Sequence, residues 1–186
     1  MISDILIVGV GGQGIILASD ILSNAALRQD LNVKTTETHG MAQRGGSVVT
    51  HVRLSNSDIY SPLIPKGNVD VLIAFEPLEA LRYLDYVSKE TFIVVNSNPI
   101  KMHDYPDMDS ILEELGGRNA LVVDALELAG EAGNVLTQNI VLLGASSSHL
   151  PLKREILKET IKQMVKRAVD ENLKAFQLGV KAWNVP

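Results

Sequence analysis

Short apolar runs recur along the chain, and each ends in glycine or a polar residue. Such runs are typical of strands that are buried on both faces of a parallel sheet. Residues 5–8 and 91–96 are predicted as buried strands on this pattern, and residues 69–75 and 120–123 are predicted as strands as well. Two further strands are predicted at residues 32–37 and 47–54, which follow one another without an intervening helix. The pattern therefore predicts a sheet that is mostly parallel, with an added antiparallel pair.

Between the strands, apolar residues recur every three or four positions, as they do on one face of an α-helix. Pro77 and Asp124 stand at helix starts, where proline and an N-cap residue are favoured. The last helix either continues to the end of the chain or breaks near Asn172. Alternating strands and helices indicate a Rossmann-like, three-layer α/β/α fold with a mixed sheet. The helices are predicted at residues 14–28, 76–86, 111–115, 134–146 and from 153 onward.

The chain has 186 residues and a net charge of −5. It contains no internal repeat, low-complexity tract or linker, so residues 1–186 are expected to form a single domain. The acidic balance argues against a broad nucleic-acid or anionic-membrane surface. The N-terminus lacks a basic signal-peptide region, and no apolar run is long enough for a transmembrane helix. We therefore expect a cytoplasmic protein with no nucleic-acid or membrane partner.

The sequence contains no cysteine. This chain therefore cannot supply thiolate ligands to an iron–sulfur cluster, and any such cluster must lie on a partner. His51, His103 and His149 have no metal-ligand spacing with other ligands, so no metal site is predicted.

A glycine loop, residues 9–14 with the sequence GVGGQG, joins the first strand to the first helix. Gly9 permits a tight turn, and Gly11 and Gly12 let a ligand approach the backbone. The N–H groups of the helix that follows can hold a phosphate. Glu37 has the spacing of an acidic residue that binds the ribose of NAD, but no hydride-transfer constellation accompanies it. The alternative is a tight connection without a ligand.

The 39–46 loop, with the sequence HGMAQRGG, lies between two strands where two to five residues would suffice for a turn. Gly40, Gly45 and Gly46 free its backbone, and Arg44 offers a forked donor for phosphate or carboxylate. His39 can act as an acid or a base near neutral pH, so His39 and Arg44 are the catalytic candidates. The alternatives are that both side chains bind the loop's own carbonyls or contact a partner.

The position of the 39–46 loop depends on strand direction. If the second strand runs parallel to the first, the loop lies beside the glycine loop, at the edge where α/β sheets bind ligands. Asn96 ends another predicted strand at this edge. Asn96 therefore either contacts a ligand or stabilises the loop that follows it.

The glycine loop, residues 37–46 and the C-terminal stretch ENLKAFQLG (residues 171–179) together resemble the gamma subunit or domain of 2-oxoacid:ferredoxin oxidoreductases. Within this group, HGMAQRGGSVVTHVR is most similar to the beta subunit of indolepyruvate:ferredoxin oxidoreductase. Pyruvate-type members tend to carry a proline-glutamate-methionine-arginine version of the 39–46 loop. The resemblance covers nearly the whole chain.

The resemblance implies oxidative decarboxylation of a 2-oxoacid, here an aryl pyruvate, to a coenzyme A thioester, with ferredoxin as electron acceptor. Thiamine diphosphate and iron–sulfur clusters would lie on a larger partner subunit. This chain would bind no cofactor tightly and would be inactive alone. Its role would be to handle coenzyme A and to dock the partner. The implied coenzyme A site comprises Gly9, Gly11, Gly12, Gln13, Gly14, Gly40, Arg44, Gly45, Gly46 and Asn96.

Two other functions stay open at this point. One is a free-standing Rossmann-like oxidoreductase that uses NAD(P) or flavin. The other is a nucleotide-binding scaffold without enzymatic activity. The sequence also leaves the oligomeric state of the isolated chain open, with a homodimer as one option.

Overall fold

The computed structural model describes residues 2–40, 46–101 and 104–184. Within these ranges, six strands form one sheet in the order β2-β3-β1-β4-β5-β6. β1, β4, β5 and β6 pair in parallel, whereas β3 is antiparallel to both β1 and β2. The predicted mixed, mostly parallel sheet is confirmed. The strands are β1 (Ile2–Val10), β2 (Asn32–His39), β3 (Ser47–Ser55), β4 (Val69–Ala74), β5 (Val87–Asn96) and β6 (Ala120–Val123).

Helices cover both faces of the sheet. Alternate residues of β1 point to opposite faces, so Ile5 and Ile7 join one apolar core and Leu6 and Val8 join the other. The first core packs against α1 and α4 to α7, and the second packs against α2 and α3. No helix within the described ranges is long and apolar enough to cross a membrane. The α-helices are α1 (Ile15–Leu27), α2 (Pro77–Arg82), α3 (Met108–Leu115), α4 (Ala125–Ala132), α5 (Gln138–Ser146), α6 (Arg154–Met164) and α7 (Val169–Lys181).

Several boundaries differ from those predicted. β1 begins at Ile2 and β5 at Val87, because residues 2–4 and 87–90, which are mostly polar, extend the strands beyond the apolar runs. The helix predicted over residues 76–86 ends at Arg82 and is followed by a 3-10 turn, Leu84–Tyr86. A further 3-10 turn, Val135–Thr137, occupies the start of the helix predicted at residues 134–146.

The C-terminal helical region breaks earlier than the sequence suggests. α6 ends at Met164 and α7 begins at Val169, with Ala168 between them in the left-handed conformation (φ 53°). Asn172 lies inside the first turn of α7, where its Nδ2 donates to the carbonyl oxygen of Ala168 at 2.7 Å. Asn172 therefore stabilises the start of α7. Of the two alternatives, a continuous helix and a break near Asn172, the structure has the break, several residues before Asn172.

The backbones of α5 and α7 are in direct contact where two glycines meet. A Cβ atom on Gly179 of α7 would overlap the carbonyl oxygen of Val141 in α5. A Cβ atom on Gly144 of α5 would likewise overlap the carbonyl oxygen of Phe176. This contact gives the C-terminal ENLKAFQLG stretch a packing role, because only glycine lets the two helices approach so closely.

Candidate functional site

A cavity of about 300 Å³ opens at the carboxyl edge of the sheet, beside the glycine loop. This edge is where open α/β sheets bind ligands, because loops and helix N-termini converge there. Three parts of the chain surround the cavity: the glycine loop, the segment after β5, and the α4–α5 region. The lining residues are Gly12, Gln13, Phe75, Asn96, Asn98, Pro99, Ile100, Leu126, Val135, Leu136, Gln138, Asn139 and Leu142.

Neutral groups line the cavity. Its polar side chains are the amides of asparagine and glutamine, and none of its lining residues in the described part of the chain is charged. The apolar residues are concentrated in the α4–α5 region, where Leu126 and Val135 are exposed and Leu136 is 82% exposed. The cavity therefore suits an uncharged ligand group that contains amides.

Gln13 ties the glycine loop to the end of β4. Its Oε1 accepts a hydrogen bond from the Val10 amide at 2.8 Å, and its Nε2 donates to the carbonyl oxygen of Phe75 at 2.9 Å. A Cβ on Gly9 would lie 2.6 Å from Oε1 of Gln13 and 3.0 Å from the Cβ of Phe75. A side chain at position 9 would therefore collide with Gln13, so glycine is needed there. Both polar atoms of the Gln13 side chain are already hydrogen-bonded to backbone groups of the protein.

Gly12 and Gly14 both have positive φ, at 102° and 80°. A Cβ on Gly14 would lie 2.5 Å from Nδ2 of Asn139, whereas one on Gly12 would meet no described atom within 4 Å. Gly12 thus offers open backbone to the cavity. Gly14 also begins α1 without a side-chain cap from the described residues. No described side chain therefore caps the positive end of the α1 dipole, and such a helix end favours anions.

Asn96 holds the chain segments around it. Its Nδ2 donates to the carbonyl oxygen of Phe75, and its Oδ1 accepts from the amides of Asn98 and Ala125, all at 3.3 Å. The side chains of Asn98 and Asp124 accept the next two amides of α4. Because protein oxygens satisfy the start of α4, this helix end is not an anion site. Ligand contact by Asn96 stays a prediction.

The C-terminal end of the 39–46 loop lies beside the glycine loop, at the edge expected for a second strand parallel to the first. The amide of Gly11 donates to the carbonyl oxygen of Gly46 at 3.0 Å, and the amide of Gly40 donates to that of Ser47 at 2.7 Å. Arg44 and Gly45 lie outside the described residues, with residues 41–43. The predicted roles of Arg44 and Gly45 therefore stay predictions.

His39 is not among the residues that line the cavity. It ends the edge strand β2, where its half-exposed ring has Nε2 3.3 Å from Oε2 of Glu37. The sheet also separates Glu37 from β1, because β3 lies between β1 and β2. In a dinucleotide-binding fold the second strand of the chain borders the first, so the order here does not support the NAD interpretation of Glu37.

Two buried carboxylates lie at the start of α2, outside the lining of the cavity. Glu76, expected at a helix start, caps α2 by accepting from the Glu79 amide at 3.1 Å. Sequence reasoning missed Glu79, whose Oε2 accepts from the Ser47 hydroxyl at 2.5 Å. Burial raises the pKa of the Glu79 carboxyl above its ordinary value. Its position three residues after the cap is a sequence signal, but its burial depends on tertiary packing.

Tyr105 was also missed by sequence reasoning. Its hydroxyl donates to Oε1 of Glu76 at 2.5 Å. Burial, and then this hydrogen bond to the carboxylate, raise the pKa of the Tyr105 hydroxyl well above its ordinary value. Tyr105 therefore stays protonated at neutral pH and acts as a hydrogen-bond donor.

The residues of this chain do not fit an iron–sulfur cluster, since the sequence has no cysteine. In residues 2–40, 46–101 and 104–184, no three His, Asp or Glu side chains are grouped as metal ligands. The thiolate ligands of any cluster would therefore have to come from another chain.

A family model described as pyruvate ferredoxin/flavodoxin oxidoreductase matches residues 4–182. The chain belongs to this family. Relatives in the family include the indolepyruvate oxidoreductase subunits IorB of Thermococcus kodakarensis and Pyrococcus horikoshii, which are 44% and 45% identical to it. Each match covers 96% of this chain and 95% of the relative. The resemblance expected from the two loops and the C-terminal stretch is confirmed.

Solved structures in the same group share the fold. The gamma subunit of a keto/oxoacid ferredoxin oxidoreductase from Geobacter sulfurreducens PCA has a TM-score of 0.75 at 25% identity, over 98% of this chain and 99% of that subunit. The 2-oxoglutarate:ferredoxin oxidoreductase from Magnetococcus marinus, with 2-oxoglutarate, coenzyme A and succinyl-CoA bound, has a TM-score of 0.79 at 26% identity. That match covers all of this chain but only 32% of the Magnetococcus chain.

Proposed function

We propose that this chain is the smaller subunit of an indolepyruvate-type 2-oxoacid:ferredoxin oxidoreductase, which converts aryl pyruvates oxidatively to coenzyme A thioesters. The observation that carries the proposal is the identity of 44–45% to IorB subunits over nearly the full length of both chains. A 2-oxoglutarate synthase subunit, KorC of Archaeoglobus fulgidus, is 26% identical over 95% of this chain. This difference favours the indolepyruvate type within the family.

The proposed division of labour follows from what this chain lacks and offers. Without cysteine, it depends on a larger, cysteine-containing subunit for iron–sulfur clusters, and we assign thiamine diphosphate to that subunit as well. Electrons would pass from the complex to ferredoxin in the cytoplasm. The chain itself would contribute contacts to coenzyme A and a docking surface.

The cavity supports a contact with coenzyme A. Coenzyme A joins an uncharged arm, which contains amide groups, to a nucleotide that carries phosphates. The amides and apolar groups of the cavity match the arm, with Gln138 and Asn139 as further polar lining residues. The open backbone of Gly12 and the uncapped start of α1 suit a phosphate.

Co-expression tests this proposal directly. The chain is produced with a candidate cysteine-rich, thiamine-binding subunit from the same organism, and the purified material is assayed for reduction of a viologen dye. We expect a stable complex whose activity requires both subunits, coenzyme A and a 2-oxoacid, with aryl pyruvates preferred over pyruvate and 2-oxoglutarate. The absence of a complex, or a preference for 2-oxoglutarate, would contradict the proposal.

Leu136→Asp is expected to weaken docking of the larger subunit by about tenfold or more, because a charge would enter an apolar interface. Leu136 projects from the cavity mouth beside the exposed Leu126 and Val135. The matched control is Leu27→Asp, at the end of α1, where the leucine is 60% exposed and does not line the cavity. Titration of the labelled chain with its partner measures the affinity. Equal weakening by both variants would argue against a docking role for the cavity mouth.

A further inference from the structure

Two of the three walls of the cavity, other than the α4–α5 region, come from distant parts of the chain. One is the glycine loop, with Gly12 at the cavity. The other is the segment after β5, with Asn98, Pro99 and Ile100. The buried carboxylates of α2, Glu76 and Glu79, are connected to both walls, and they are only 2% and 5% exposed.

Glu79 reaches the glycine loop through β3. Its Oε2 accepts the hydroxyl of Ser47, the first residue of β3, at 2.5 Å. Gly46 precedes Ser47, and its carbonyl oxygen accepts a hydrogen bond from the Gly11 amide at 3.0 Å. Gly11 is followed by Gly12, which lines the cavity. The position of this wall is therefore set by a connection that begins at the Glu79 carboxylate.

Glu76 contacts the wall formed by the segment after β5 directly. Its Oε1 accepts the Tyr105 hydroxyl at 2.5 Å and the Ile100 amide at 3.4 Å. Ile100 is itself a lining residue. The other oxygen, Oε2, caps α2. Oε2 of Glu76 therefore caps α2, whereas Oε1 binds Tyr105 and Ile100, so the hydrogen bond to Tyr105 is separate from the cap.

These contacts are more than α2 needs for its own stability. A buried carboxylate costs free energy unless hydrogen bonds compensate for its lost hydration. The cap of α2 requires only Oε2 of Glu76. The ion pair within α2 requires only Oε1 of Glu79, which lies 3.1 Å from Nε of Arg82. The hydroxyls of Ser47 and Tyr105 come from outside the helix, next to segments that border the cavity.

We propose that Glu76 and Glu79 are positioning residues that hold these two walls of the cavity, the glycine loop and the segment after β5, at the spacing its ligand requires. Tyr105 and Ile100 transmit the effect of Glu76, and Ser47, Gly46 and Gly11 transmit that of Glu79. The identity of the ligand, coenzyme A, rests on the proposed function. The positioning itself rests on the hydrogen bonds between described residues.

Two single-hydroxyl deletions test this without disturbing the cap of α2. Tyr105→Phe and Ser47→Ala are each expected to raise the KM for coenzyme A of the reconstituted complex about tenfold, because each removes a hydrogen bond to a carboxylate. The value of kcat should change much less, since neither residue touches the reacting atoms. Ser47→Thr keeps the hydroxyl and should restore the KM. The controls are Tyr60→Phe and Ser148→Ala, which alter exposed side chains away from the cavity.

Hydrogen exchange on the isolated chain separates this inference from the proposed function. We expect faster amide exchange in residues 9–14 for Ser47→Ala and in residues 98–101 for Tyr105→Phe, with the controls unchanged. Unchanged exchange at both walls would overturn the positioning role, whatever the activity of the complex. Faster exchange with an unchanged KM would overturn its link to the ligand. A wild-type complex without coenzyme A-dependent activity would instead refute the proposed function.

Discussion

Gly179→Ala is expected to lower the free energy of unfolding by about 3 kcal/mol or more, the upper range for overpacking a core. The added methyl group would overlap the carbonyl oxygen of Val141, which belongs to the α5 backbone and cannot rotate away. The helices must then separate along a contact that buries Phe176 and Ala175. Urea unfolding followed by circular dichroism measures the change.

Gly130→Ala provides the matched control for this prediction. Gly130 lies inside α4, and a Cβ there would meet no described atom within 4 Å. Alanine should therefore stabilise the protein by about 0.5–1 kcal/mol through its higher helix propensity. If the two variants unfold at the same urea concentration, the close contact of α5 and α7 is not as tight as the structure indicates.

Asp4→Ala is expected to cost about 3–5 kcal/mol, as is typical when one partner of a buried ion pair is removed. Arg53 donates to both carboxylate oxygens of Asp4, from Nε at 2.7 Å and from Nη2 at 3.0 Å. The side chains are only 8% and 14% exposed. Arg53 also donates through Nη1 to the carbonyl oxygens of Ser61 and Leu63. Without Asp4, the buried Arg53 guanidinium is left without its carboxylate. Arg53 also loses the partner that orients it toward the loop after β3.

The Asp4 prediction can be checked by thermal unfolding of single and double variants. Asp4→Ala combined with Arg53→Met should recover part of the lost stability, because the unpaired charge is removed as well. Asp85→Ala is the control, since its ion pair with Lys66 (2.8 Å) is largely exposed and should contribute little. A loss of stability for Asp85→Ala as large as that for Asp4→Ala would contradict the argument from burial.

The pattern of apolar and polar residues along the chain was enough to locate most of the strands and helices. Strands buried on both faces must be apolar throughout, so the cores of β1, β4 and β5 were recognisable. β6 is also a short apolar run, although it lies at the edge of the sheet and only Val123 is buried. The polar extensions of β1 and β5 were not, because they depend on pairing with distant strands. The break between α6 and α7 at Ala168 was missed because alanine rarely adopts positive φ, and nothing in the local sequence requires it.

In the candidate site, too, features set by local sequence were predicted and features set by distant contacts were not. The glycine loop was placed correctly between a strand and a helix, because glycines at that spacing record unusual backbone freedom. Which glycine faces the cavity was not predictable. The space beside Gly14 is filled by the side chain of Asn139, 125 residues further along the chain. The side chain of Gln13 is hydrogen-bonded to the carbonyl oxygen of Phe75, 62 residues further along. Asn96 ended its strand as expected, but its side chain is used to hold neighbouring segments.

The sequence by itself therefore determined the α/β class, the mixed sheet, the location of the glycine loop and the family. Each of these depends on burial periodicity or on short motifs, which neighbouring residues encode. Tertiary structure alone decided that β3 separates Glu37 from β1, that amides rather than charges line the cavity, and that Glu79 is buried against Ser47. These features depend on contacts between residues far apart in the chain, and such contacts exist only once the sheet and helices have packed.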